Sequence, residues 1–413
     1  MLGAQEPDGK IYLLRGGRWF DGTRFVERSW YSVGGRFESR RPARVDSVID
    51  LAGRFIIAPF GDAHTHAFDS PATIAATVAG HLREGVFYAL SLTNSVAGKF
   101  AVAAAVNTPA SVDVGFADAG LTSTFGHPIM SAEMAANRWR WDSLGAYWSR
   151  LLQSRRAEGD AYFRLDSLPD LERQWDRIRA SRPDLLKIYL LDSERHAERR
   201  GNPQFFGSLG LDPALVPAIV AAAHRDGRRV AAHIETAADF RVAVAAGVDL
   251  IAHLPGTAIR SDSARERFLI TSADARLAAG RKVVVIPTAW LATQERIAGG
   301  DTAQIRRTRE VQRRNLTALV RAGVPIAIGS DLFVTALHEA RYLLDLGVFG
   351  PVEVLRMWTQ TTPRAIFPDR RLGRLEAGHE ASLLALECNP LEAFDCTGKI
   401  RLRLKQGRVV PGY

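Results

Sequence analysis

The chain has 413 residues, 46% of them hydrophobic and 24% charged, with no low-complexity block. That composition excludes a disordered or fibrous chain, and the length suits one large domain with a smaller module attached. The net charge of +9 comes largely from arginines scattered over many segments, such as Arg306-Arg307, Arg313-Arg314 and Arg370-Arg371, without interleaved aromatic residues; a solvated basic surface is expected, and nucleic-acid binding is not.

The N-terminal stretch MLGAQEPDGKIYLLRGG lacks the charged and apolar regions of a signal peptide. A cytoplasmic location is therefore expected, with a periplasmic or secreted one as the alternative if an export signal has been removed. Residues 10–54 (KIYLLRGGRWFDG, RSWYSVGGRFESR) read as alternating strands punctuated by glycine, without helices. From Phe55 onward eight short apolar runs follow: FIIAPFGDAHTH, GVFYALSLT, SVDVGFAD, LLKIYLL, RRVAAHI, VDLIAHL, KVVVIPTA and VPIAIGSD. Runs hydrophobic on both faces are the mark of buried parallel strands. Amphipathic stretches lie between them, among them PATIAATVAGHLREG, PALVPAIVAAAHRDG, AADFRVAVAAG and IRRTREVQRRNLTALVRAG, several ending in glycine as a helix C-cap does.

Eight such units predict an α/β fold, a (β/α)8 TIM barrel over residues 55–372, with its chemistry at the C-terminal ends of the strands. The Trp-rich stretch from Gly126 to Pro183 reads as a mainly helical insertion over the strand ends. Residues 373–413 (GRLEAGHEASLLAL, IRLRLKQGRVV) return to glycine-punctuated strands. Together with residues 1–54 they predict one composite β-sandwich domain. Cys388 and Cys396 are too few for a disulfide framework and their spacing matches no metal knuckle. No apolar run reaches the roughly 18 residues of a membrane span, so no membrane association is expected.

Four of the ten histidines fall at the ends of candidate strands. His64 and His66, in Asp62-Ala63-His64-Thr65-His66, are two apart and so share one face of a strand. Two imidazoles projecting side by side can hold a metal ion, or can be a hydrogen-bonded polar pair. His233 closes VAAHI and His253 closes DLIAHL. A lone histidine in either place is an ordinary core residue; two in succession, matching the first pair in position, point to ligands. Asp331 ends the eighth run, where a carboxylate completes such a set or caps a helix. Lys187 lies inside LLKIYLL among apolar neighbours, where an ammonium is costly to bury. A neutral lysine amine can add carbon dioxide and become an anionic carbamate able to bridge two cations. The alternatives are a lysine paired with a buried carboxylate or a Schiff-base lysine.

The His-x-His pair after the first strand, the lysine in LKIYL, the two later histidines and the aspartate of GSD together resemble the amidohydrolase superfamily, as does the C-terminal stretch GRLEAGHEASLLALECNPLEAF. The resemblance spans nearly the whole chain. It implies that His64, His66 and Asp331 hold the more buried of two divalent metal ions, zinc in the first instance. His233 and His253 would hold the other, and carboxylated Lys187 would bridge both. GLTSTFGHP after the third strand resembles the GGH stretch of the prolidase-like and imidazolonepropionase-like branches, with Phe125 standing where the first glycine does. By that resemblance His127 contacts the substrate carbonyl. Tyr189, on the Lys187 face, lines the pocket or packs beside it.

The function implied is hydrolysis of an amide or peptide bond in an N-acyl amino acid or dipeptide-like small molecule by a metal-bridging hydroxide, with Asp331 as base and then acid. No GxSxG elbow offers a separate nucleophile. Alternatives are a cyclic-amide hydrolase or a deaminase of the same superfamily, with Glu235 following His233 by two residues, and a non-catalytic scaffold. Arg195, Arg199 and Arg200 after the fourth strand could hold a substrate carboxylate, or form a solvated loop face. A homo-oligomer is compatible with the resemblance.

Overall fold

The computed structural model describes residues 9–294, 299, 301–333 and 335–412; the first eight residues, where the leader reading begins, lie outside them. Seven of the eight expected runs form parallel ladders. Phe60–Thr65, Val86–Ser91 and Asp113–Phe116 form one three-stranded sheet. Leu185–Tyr189, Arg229–His233, Leu250–Ala252 and Val284–Ile286 run side by side in a second, which Gly120–Thr122 and Tyr162–Arg164 extend at one edge. Strand residues buried on both faces, as in Val86–Ser91, explain why these segments are uniformly apolar. Helices cover the outside: Ile74–Arg83, Val216–Arg225, Ala237–Ala246, Ser272–Gly280 and Thr302–Arg321 follow the amphipathic stretches. Thr236 and Thr271 each open a helix with a reciprocal capping box, to Asp239 and Asp274.

Three details depart from the sequence reading, two of them within the parallel set. The third run is broken after Phe116: its first piece pairs with Val86–Ser91 and its second, Gly120–Thr122, with Leu185–Tyr189. The eighth run makes only an isolated parallel bridge, Val285 to Ile326. The reason lies in its donors. Pro325 has no N–H, the Ile328 N–H goes to the Thr362 hydroxyl and the Ser330 N–H to Asp62. Single backbone bonds still tie the segment on both sides, from Ala327 to Val285 at 2.9 Å and from Ala63 to Ile328 at 2.8 Å.

Strands from both termini build the remaining sheets. One holds Arg36–Glu38, Trp30–Val33, Tyr12–Arg15 and Ser47–Asp50. The other runs Arg408–Val409, Ile400–Lys405, Leu383–Leu386, Phe55–Ile57, Arg18–Phe20 and Phe25–Glu27. The run starting at Phe55 is thus two strands, the first of which belongs to the terminal sheet. A separate core of Leu14, Trp19, Trp30, Phe37, Ile56, Leu383 and Leu404 fills the space between the sheets. Cys388 and Cys396, beyond the end of Leu383–Leu386, form a disulfide. Among the described residues no helix is long and apolar enough to cross a membrane.

A buried charge cluster fastens the terminal sheet to the starts of the parallel strands. The fully buried Lys405 ammonium donates to Asp113 at 2.5 Å and to the carbonyls of Thr108 and Ser111. Arg370 reaches the other Asp113 oxygen at 2.8 Å and Glu380 at 2.6 Å. Removing one partner of such a pair leaves a buried charge uncompensated. Asp113→Ala is expected to lower unfolding free energy by about 3 kcal/mol in a urea titration.

Candidate active site

The strand ends bring the sequence-singled histidines to one place. His64 lies in Phe60–Thr65 and His66 just beyond it, His233 closes Arg229–His233, His253 follows Leu250–Ala252, and Asp331 follows the eighth run. The Nε2 atoms of His64 and His66 converge on one oxygen of Asp331, at 2.7 and 3.0 Å. Ligand atoms of His64, His253 and Asp331 all lie within 4.8 Å of one another. The rings continue as a chain: His64 to His253 at 5.0 Å, His253 to His233 at 4.4 Å and His233 to His127 at 4.9 Å between centroids.

Lys187 lies under this chain, in the middle of Leu185–Tyr189, with its Nζ 5.6 Å from the Tyr189 ring centroid. That Nζ and the Nδ1 of His64 are buried without a hydrogen-bond partner among the described residues. Burial, only partly opposed by the attraction of Asp331, brings the Lys187 amine down to about 7. A charged amine there would push down all five surrounding imidazoles. His64 and His127 are already held at about 4, chiefly by burial, so both are neutral at neutral pH. Burial works against the Asp331 carboxylate, yet His64 and His253 beside it hold it well below the usual range. Against burial, Asp331 beside it raises His66, whereas the other four imidazoles are lowered; imidazoles with one carboxylate are the donor set of a zinc-type site, and two buried nitrogens without partners among the described residues fit a bound cation better than a closed polar core.

The supporting contacts fix which ring nitrogen faces inward. His66 Nδ1 is 3.1 Å from the Thr93 carbonyl, leaving Nε2 toward Asp331. His253 Nδ1 is 2.6 Å from the Thr288 hydroxyl. Asp62 accepts from the backbone of His64 at 3.2 Å and of Ser330 at 3.0 Å, clamping the first strand to the eighth run. Three residues here take left-handed backbone without being glycine: His253 (φ 79°), Thr288 (φ 43°) and Asp331 (φ 54°). Such conformations gather where side chains must be aimed rather than merely packed.

Tyr189 lies within the group, its ring 5.1 Å from His127 and 5.5 Å from His233, and its hydroxyl bonded to Thr93. Glu235 is brought to His233, 3.2 Å from its Nε2. Two of the arginines are elsewhere occupied. Arg195 pairs with Glu198 at 2.6 Å; Arg199 is buried, bonded to Asp192 and to the Ser208 carbonyl, which corrects the reading of a solvated face. Thr93, Thr288, Asp62 and Ser330 were not singled out from the sequence. Asp62 had a signal, its place in the Asp-Ala-His-Thr-His run; hydroxyls after strands have none.

Residues 204–410 match the amidohydrolase family. The ochratoxinase of Aspergillus niger is 29% identical over 199 residues, 47% of this chain, and the match spans only 39% of that protein. Among solved structures, that of A. niger ochratoxinase superposes with a TM-score of 0.74 at 18% identity, covering 98% of this chain and 96% of the other. A Xaa-Pro dipeptidase with methionine in its active site gives 0.72 at 17% identity, over 98% and 100% of the two chains. A prolidase complexed with N-methylphosphonate-L-proline gives 0.70 at 19% identity, over 97% and 99%. At these identities the superpositions speak for a shared fold.

Gly329 is needed for the eighth run to approach the first strand. A Cβ there would lie 2.8 Å from the His64 Cβ and backbone nitrogen and 2.7 Å from Ile286 Cγ2. Gly329→Ala is expected to displace His64 and to cost about 1–3 kcal/mol of stability in chemical denaturation.

Proposed function

The chain belongs to the amidohydrolase family, and from that membership we propose that it is a metal-dependent hydrolase of an amide or peptide bond in a small molecule, an N-acyl amino acid or dipeptide. The observation that carries this reading is the buried Lys187 Nζ, without a hydrogen-bond partner among the described residues, beside the His64, His253, His233 and His127 imidazoles and one carboxylate. The fold we take to be a closed (β/α)8 barrel, the terminal strands of residues 1–54 and 373–413 forming the composite domain. His64, His66 and Asp331 would hold one divalent cation, zinc in the first instance, and His233 and His253 a second, with Lys187 as its carbamate between them. When bound, the cations acidify a water and polarise a carbonyl.

The remaining steps fall to the chain's own groups. Near a pKa of about 7 a large share of Lys187 is the free amine, the form able to add carbon dioxide. Asp331 is the one carboxylate touching both His64 and His66; it takes the proton from the attacking water and passes it to the leaving nitrogen. His127, neutral and stacked on His233, donates a hydrogen bond to the carbonyl oxygen as negative charge gathers there. Tyr189 lines the wall beside it. A deaminase is the second reading, favoured by Glu235 lying beside His233; a deaminase would hold a single cation and no carbamate.

The Cys388–Cys396 disulfide bears on location. Such bonds persist in oxidising compartments and are rare in the cytosol, so we favour the periplasmic or secreted alternative over the cytoplasmic one. Thiol titration of the unfolded protein, isolated without reductant, is expected to find no free thiol; two would return it to the cytoplasm.

Chelation of purified protein is expected to abolish hydrolysis of N-acyl amino acids and dipeptides, and zinc to restore it. Asp331→Asn, loaded to the same metal content, is expected to lose about 10²–10⁴-fold in kcat. Turnover close to wild type would remove Asp331 from proton transfer.

A further inference from the structure

Thr288 stands at the head of the short 3-10 turn Ala289–Thr293. A threonine in that place ordinarily takes extended backbone and turns its hydroxyl back to accept from the turn's free N–H groups. Here it takes left-handed backbone (φ 43°) and makes no such bond. Its hydroxyl instead donates to the Pro287 carbonyl at 2.9 Å and meets His253 Nδ1 at 2.6 Å. With its one proton committed to Pro287, the hydroxyl can only accept from His253. The histidine therefore carries its proton on Nδ1 and keeps Nε2 free to ligate.

The turn's N–H groups are satisfied from elsewhere. Glu339 lies fully buried on the helix Leu337–Asp345, and its two oxygens accept from the Ala289 N–H at 3.0 Å and the Trp290 N–H at 2.9 Å. The same helix supports the turn a second time: the Tyr342 hydroxyl donates to Gln312 Oε1 at 2.7 Å, and Gln312 Nε2 donates to the Ala289 carbonyl at 2.9 Å. A buried acid is a costly way to cap a turn when a threonine already stands at its head. It becomes necessary once that threonine is committed to His253.

We infer that Glu339 is a positioning residue: by capping the turn in place of Thr288 it leaves the Thr288 hydroxyl to His253 and so fixes that imidazole as a metal ligand. The inference rests on the metal-dependent reading of the site. Without Glu339 the two buried amides lose their acceptor. The local substitute is the Thr288 hydroxyl, which can cap the turn only by leaving the left-handed region and releasing His253 Nδ1.

The test uses cobalt(II), whose visible spectrum reports ligand geometry, at a pH above the value of about 7 to which burial pushes the Glu339 carboxyl, so that both oxygens accept. Glu339→Gln keeps the shape but leaves one acceptor oxygen and sets an NH2 group against a backbone N–H. Cobalt-loaded Glu339→Gln and Thr288→Ala, checked for wild-type circular dichroism, are each expected to show a changed visible spectrum and to release one ion to a chelator about tenfold faster than wild type. The double variant is expected to release it no faster than the quicker single variant, since both changes undo one contact. A wild-type spectrum and release rate in Glu339→Gln overturn the assignment. So do effects that multiply in the double variant, the result for a residue that only stabilises the fold. Should Glu339→Gln not fold, Glu339→Asp, one methylene shorter, is read against the same outcomes. Wild type that takes up no cobalt contradicts the metal-dependent reading itself, and this assignment with it.

Discussion

A lysine amine with no hydrogen-bond partner among the described residues is the constraint on which the rest of this molecule turns. Lys187 is placed in mid-strand, is fully buried, and is surrounded by imidazoles that its charge would disfavour. Leaving such a group charged and unpaired costs several kcal/mol. Neutralising it removes the penalty, and on the proposed reading its conversion into an anion between two cations would make the same residue the hinge of the site. The low basicity of His64, His127, His233 and His253 follows from the same burial, and neutral imidazole is the form that ligates metal.

Holding that arrangement demands precision from parts of the chain that do no chemistry. The eighth run gives up a full strand ladder so that Asp62 and Thr362 can take its N–H groups, and Gly329 lets its backbone lie against His64. His253, Thr288 and Asp331 accept left-handed backbone in the same neighbourhood. The stabilising contacts lie at the opposite ends of the strands, where Lys405, Asp113, Arg370 and Glu380 bind the terminal sheet to the parallel set. Stability and chemistry are thus separated along the strand direction, as strand-end sites allow.

Much of this was legible in the sequence because burial writes a simple pattern. Uniformly apolar runs marked the parallel strands, and the two-residue spacing of His64 and His66 placed both on one face. Lys187 was conspicuous because a charge interrupts such a run. Features that depend on where a hydrogen bond goes left no trace of that kind. The break after Phe116, the transfer of Phe55–Ile57 to the terminal sheet and the missing ladder of the eighth run are decided by partners far away in the chain. Arg199 looked like a solvated loop residue, since nothing local announces that Asp192 and Ser208 enclose it. Thr93 and Thr288 act through a carbonyl and a hydroxyl that many strand ends carry.

The most direct test of the account is metal stoichiometry measured on wild-type protein and on Lys187→Ala, both loaded with zinc in the presence of bicarbonate and checked for retained fold. The account predicts two tightly held ions per wild-type chain and loss of at least one in the variant. One ion in the wild type, or two retained without Lys187, would contradict it.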